Sequence, residues 1–72
     1  MLNQMLELLR QLLRRKPFRP IRVVMRNGER YDILDPDKVA ISVSKAYAFL
    51  PRITEMPEAD IDVIYIRRCR RS

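Results

Sequence analysis

The 72 residues predict an α+β fold: an amino-terminal amphipathic helix packed on a small curled antiparallel sheet or barrel of four to five short strands. Three observations carry this expectation. Leucine recurs at spacings of three and four over residues 2–15, the period of one helix face. From residue 20 to 69 the apolar residues come in short, β-rich runs. A helix that must hide a leucine stripe and strands that must hide one face solve each other's problem by packing together. The whole chain, 1–72, reads as a single small domain with a thin core, because a domain this short buries only roughly 60% of the surface its unfolded chain exposes.

In "LNQMLELLRQLLRR", residues 2–15, the stripe is Leu2, Met5, Leu6, Leu9, Leu12 and Leu13, with Leu8 at its edge. Asn3, Glu7, Arg10 and Arg14 fall on the opposite face. Arg14, Arg15 and Lys16 complement the negative carboxyl end of the helix dipole. Pro17 disfavours helical geometry at Lys16 and ends the helix. In the joint that follows, "RRKPFRPIRV", Pro17 and Pro20 each fix a backbone φ; Phe18 is expected to plug the joint while the cations point outward.

The run "IRVVMR", 21–26, alternates with Ile21, Val23 and Met25 on one face, and "ERYDIL", 29–34, places Tyr31 and Ile33 together. A two-residue Asn27-Gly28 turn would set Val23 against Asp32 and Met25 against Arg30. A three-residue loop, Arg26-Asn27-Gly28 with Gly28 left-handed, pairs Val23 with Tyr31 and Ile21 with Ile33, and sets Arg22 across from Asp32. Register follows the buried face, which favours the three-residue loop. "DPDK", 35–38, is a turn. "VAISV" (39–43) and "AYAFL" (46–50) are two strands with a turn at Ser44-Lys45, or one bent strand. "PRITEMPEAD", 51–60, with two prolines and three acids, reads as the least ordered loop, and "IDVIYIRRC", 61–69, as a final β-rich run. SH3-like and Sm-like barrels share this size and order.

Fifteen Lys and Arg against nine Asp and Glu give a net charge of +6, and twelve of the fifteen cations are Arg. Guanidinium forks match phosphate and carboxylate in a bidentate way, so the balance favours polyanions or an acidic protein face. A single cysteine, Cys69, excludes an internal disulfide framework and fits a reducing compartment. No apolar run approaches the ~20 residues of a membrane span, and no signal-peptide pattern is read. The expected location is cytoplasmic.

The whole chain resembles a family of small bacterial proteins, abundant in planctomycetes and without an assigned activity, most distinctively in the block from Pro17 to Pro36. These run as an amino-terminal helix, a "PF-RPF-x-I-x-L-x-DG-R-x-Y-x-V-x-HP" block and a hydrophobic end. The matching residues are Pro17, Phe18, Arg19, Pro20, Arg22, Val23, Met25, Gly28, Arg30, Tyr31, Ile33 and Pro36, then Val63, Ile64, Ile66, Arg68 and Cys69. The chain has Ile21 for a second Phe, Asn27 for Asp, Asp35 for His and Tyr65 for His. The resemblance implies the helix, the hairpin and its register; it implies no activity.

Enzymatic readings find little to stand on. The chain has no histidine, which removes imidazole acid–base chemistry and His-based triads and metal sites. Ser42, Ser44 and Ser72 have no activating base nearby in sequence, and a lone Gly28 cannot build a phosphate-cradling loop. Asp32, Asp35 and Asp37 do not have calcium-loop spacing. Cys69 lies among arginines that would stabilise a thiolate, yet it falls in phase with apolar neighbours, and a small core hydrophobe is the expected role. No catalytic residue, metal, cofactor or small-molecule substrate is expected.

Two cationic segments remain, and they are the candidate site: Arg10, Arg14, Arg15, Lys16 and Arg19 in the first, Arg67, Arg68, Arg70 and Arg71 in the second. Such clusters are the electrostatic footprint of phosphate-backbone binding. The expected function is a non-enzymatic basic module that binds RNA or DNA with weak specificity. The alternative is a protein-interaction or self-assembly module, through exposed strand edges or the leucine-rich helix, with the cations a solvated surface.

Overall fold

The computed structural model describes residues 5–49 and 52–67. One α-helix, α1 (Met5–Arg14), precedes six strands: β1 (Ile21–Met25), β2 (Arg30–Ile33), β3 (Val39–Ile41), β4 (Lys45–Phe49), β5 (Ile53–Pro57) and β6 (Ile61–Ile66). Short 3-10 turns at Pro36–Lys38 and Glu58–Asp60 lead into β3 and β6. The strands form two antiparallel three-stranded sheets, ordered β2-β1-β6 and β3-β4-β5. The fold is therefore α+β, and among the described residues no ladder joins the two sheets.

One hydrophobic cluster draws on the helix and both sheets. Leu6 and Leu9 come from α1, Ile21, Val23, Met25, Ile33, Ile61 and Ile64 from the first sheet, and Ala46, Ala48 and Met56 from the second. Met5, Leu12, Leu13 and Phe18 pack half-buried against it. These are the stripe residues expected of the helix, apart from Leu2, which lies outside the described residues. Leu8, at the stripe's edge, is exposed. Among the described residues no polar or charged side chain is buried, so the core is held by apolar burial alone.

The first hairpin has the register that the buried face demands. Ile21 pairs with Ile33, Arg22 with Asp32 and Val23 with Tyr31. The three-residue loop 26–28 closes with the Gly28 N–H donating to the Met25 carbonyl at 2.9 Å and the Met25 N–H to the Glu29 carbonyl at 2.7 Å. Gly28 takes φ +94°, where a Cβ is strained even though its side has open space. The Asn27 Oδ1 accepts from the Glu29 N–H at 2.9 Å, the local bond that makes asparagine a turn residue.

β1 is central in its sheet and pairs with β6 on its other edge, Ile21 with Ile66 and Val23 with Ile64. The register shifts between Val24 and Met25, so that Met25 meets Ile61. This bulge accounts for a spacing of three between two inward residues, Ile61 and Ile64, in a strand whose period should be two. At the helix start, the Leu6 N–H donates to the Glu58 carboxylate at 2.9 Å. An acidic group so placed satisfies a donor of the first turn and opposes the positive end of the helix dipole.

Two expectations need correction. The expected loop at 51–60 holds a strand: β5 spans Ile53–Pro57, pairs with β4 throughout and buries Met56. This raises the strand count from the expected four or five to six among the described residues. β5 is an edge strand, where a terminal proline costs no ladder bond. The turn between β3 and β4 lies at Val43-Ser44, one residue before the expected place, closed by the Ser42 N–H donating to the Lys45 carbonyl at 2.8 Å. Val43 projects into solvent at 95% exposure, so its apolar side chain misleads a reading by hydrophobicity.

Leu9 is fully buried where α1 meets the sheets. Leu9→Ala is expected to lower the free energy of unfolding by about 3 kcal/mol, the usual loss for a buried leucine with its cavity. Gly28→Ala is expected to lower it by roughly 1 kcal/mol through backbone strain alone. Urea titrations of both variants check the two values.

Candidate nucleic-acid interface

The helix carboxyl end, the proline joint and the end of β6 meet at one pole of the molecule. β6 runs antiparallel to β1, so its last residues return to the start of β1, and the Arg67 N–H donates to the Pro20 carbonyl at 2.9 Å. Arg15, Pro17, Phe18, Arg19, Pro20, Ile66 and Arg67 thereby line one groove. Three cations from two segments about 50 residues apart in sequence share it. Pro17, Phe18, Pro20 and Ile66 are its apolar lining, and the Lys16–Pro17 peptide is cis.

Arg10, Arg14 and Lys16 lie apart from this groove. They line a second one between α1 and the β3 edge, with Leu13, Asp37 and Val39 among its walls. Arg10 is 3.6 Å from Glu7 on the exposed helix face, a pair that solvent screens to little energetic worth. Among the described residues no carboxylate lies within ion-pair distance of Arg14, Arg15, Lys16 or Arg19. Arg68, Cys69, Arg70 and Arg71 lie outside the described residues.

A shared carboxylate organises the adjoining sheet face. Asp32 accepts from Arg22 through both oxygens, Nε to Oδ1 at 2.7 Å and Nη2 to Oδ2 at 3.1 Å. Arg67 approaches the same carboxylate at 3.5 Å. The paired Arg22 guanidinium holds the Asp32 carboxyl below its ordinary value, against partial desolvation. The Arg22 pKa is raised in turn, by Asp32 first and then by the Tyr65 hydroxyl. Two cations on one acid leave this face net positive.

Four of the acids lie away from the Arg15–Arg19–Arg67 groove. Glu29, Glu55 and Asp60 line a groove beside the 26–28 loop, and Glu58 sits at the start of α1. Arg26 is held there through its N–H to the Asp60 carbonyl at 2.8 Å and its Nε to the Ala59 carbonyl at 2.9 Å. Along α1 itself Glu7 and Glu58 lie at the start and Arg14 at the end.

Sequence reasoning missed one member of the site. Tyr65 pairs across the ladder with Arg22 and is 40% exposed; together with Ile66 and Arg67 these two line a groove that adjoins the first. Strand alternation in "IYIRR" puts Tyr65 and Arg67 on one face, and that signal was present in the sequence. The partner across the ladder was not. Among the described residues, no helix is long and apolar enough to cross a membrane.

Since Asp32 titrates lower when folded than when unfolded, its pairing contributes stability above the ordinary carboxylate value of about 3.9. That contribution is lost as pH falls through the lower, folded value. Asp32→Asn is expected to lower the urea midpoint at pH 7, with the gap to the parent protein closing under acid conditions. Urea titrations of both proteins between neutral pH and pH ~3 check the sign.

No protein-family model, curated protein or solved structure matches this chain.

Proposed function

We propose that this protein is a non-enzymatic small-barrel module that binds the phosphate backbone of nucleic acid at its cationic pole. The observation that carries the reading is the convergence of Arg15, Arg19 and Arg67 on one groove. Arg15 and Arg19 have no carboxylate at ion-pair distance among the described residues, so neither must give up a partner to meet a phosphate. Glu29, Glu55 and Asp60, which line a different groove, repel a polyanion and bias its approach. Few specific contacts to bases are on offer, which makes the binding backbone-directed and weakly specific.

The barrel part of the reading rests on strand succession. β6-β1-β2 and β3-β4-β5 follow one another with a 3-10 turn from β2 to β3 and another from β5 to β6. This is the order of an open SH3- or Sm-like barrel whose second strand is broken. Membership of the planctomycete-type family, on the Pro17–Pro36 block, belongs to the same proposal, as does a cytoplasmic location.

A second reading, self-assembly or protein interaction, is favoured by the outer face of β3-β4-β5. Phe49 and Ile53 are 54% and 67% exposed there and line an apolar groove with Val39, Ala40 and Tyr47. Among the described residues β3 and β5 each pair along one edge only, which leaves strand edges open to addition.

The test is binding to labelled RNA and DNA across ~50 to 300 mM salt, with molecular mass recorded in the same buffers. Salt-sensitive binding is expected, and Arg15→Glu with Arg19→Glu should abolish most of it while leaving the urea midpoint unchanged. Each phosphate that the variant no longer neutralises should flatten the log–log salt slope by about 0.7 to 0.9. No binding at the lowest salt, together with a concentration-dependent oligomer, would assign the protein to the second reading.

A further inference from the structure

We propose, on the footing of the backbone-binding reading above, that the ligand is a single strand and that Tyr65 is the platform on which one of its bases stacks. The two grooves of the cationic pole adjoin, since both are lined by Ile66 and Arg67. Arg15 and Arg19 line the first groove, Tyr65 and Arg22 the second, and Arg67 belongs to both. A strand whose phosphates run past Arg19 and Arg67 carries its next base to Tyr65. Cations that track a backbone beside an exposed ring are the two parts of a sequence-tolerant single-strand site.

The ring is exposed because of where β6 places it. Ile64 packs inward, so Tyr65 stands on the outer face, 40% exposed in a strand that gives Ile61 and Ile64 to the core. Its cross-strand neighbour Arg22 is locked by two bonds to Asp32. Arg22 therefore walls the ring and holds its orientation while Arg67, farther from the same carboxylate at 3.5 Å, is the cation better able to turn towards a phosphate. A duplex keeps its bases paired and stacked inside and offers Tyr65 nothing but sugar and phosphate.

Binding of oligothymidylate, an abasic strand of equal length and charge, and a duplex should be compared for the intact protein and for Tyr65→Leu, Tyr65→Phe and Phe49→Leu. Oligothymidylate is expected to bind roughly tenfold more tightly than the abasic strand, the gain of one base–aromatic stack. Tyr65→Leu should remove that margin and leave abasic binding and the salt slope unchanged. Tyr65→Phe should keep the margin, and Phe49→Leu, an exposed aromatic on the other sheet, should have no effect. An oligouridylate arm tells RNA from DNA as the source of the strand, and either is within the proposal. Equal binding of oligothymidylate and the abasic strand, or a margin that survives Tyr65→Leu, overturns the stacking site while the backbone reading stands. Failure of every strand to bind at low salt overturns both.

Discussion

The register of β1 is the constraint on which the rest depends. β1 is the central strand of its sheet, and Ile21, Val23 and Met25 all enter the core. A slip of one residue would expose all three and bury Arg22. Two local devices oppose that slip: the Gly28 turn, which fixes β2 against β1, and the bulge near Met25, which fixes β6. With β1 set, Asp32, Arg22 and Tyr65 are forced into one row across the outer face, and Arg67 returns to Pro20. The candidate interface is a consequence of that register.

Charge on this molecule is organised more than its net value conveys. A carboxylate near the helix start and basic residues at its end each oppose the helix dipole favourably, so stabilising the helix and sorting the charges are the same act. The Arg22–Asp32–Arg67 group shows a second economy. Its side chains are about a third exposed, where solvent screening keeps ion pairs weak. Their main effect is to fix orientation, with Arg22 held still beside the Tyr65 ring.

Legibility in the sequence followed the range of the interaction concerned. The leucine stripe of α1, the stop at Pro17 and the Gly28 turn are set by residues a few positions apart, and all were readable. The Arg22–Asp32 pair was readable too, because a short loop makes its register a local matter. β5 was not: Pro57 and the nearby acids in "PRITEMPEAD" describe a loop by composition, and what makes it a strand is β4 beside it and the burial of Met56. The Val43-Ser44 turn was misplaced for the complementary reason, since an apolar β-branched residue normally argues for a strand interior.

By itself the sequence determined the helix and its buried face, the first hairpin with its register, and a surplus of arginine in two segments. The tertiary structure alone decided that Arg15 and Arg19 share a groove with Arg67, that Glu29, Glu55 and Asp60 share another, and that Tyr65 faces out beside Arg22. The physical reason is that side-chain periodicity specifies which face of an element is buried but not which element covers it. Arg15 and Arg67 share a groove because β6 lies antiparallel along β1, with Ile64 and Ile66 beside Val23 and Ile21. That pairing is selected by the burial of one common core, which no local stretch of the chain encodes.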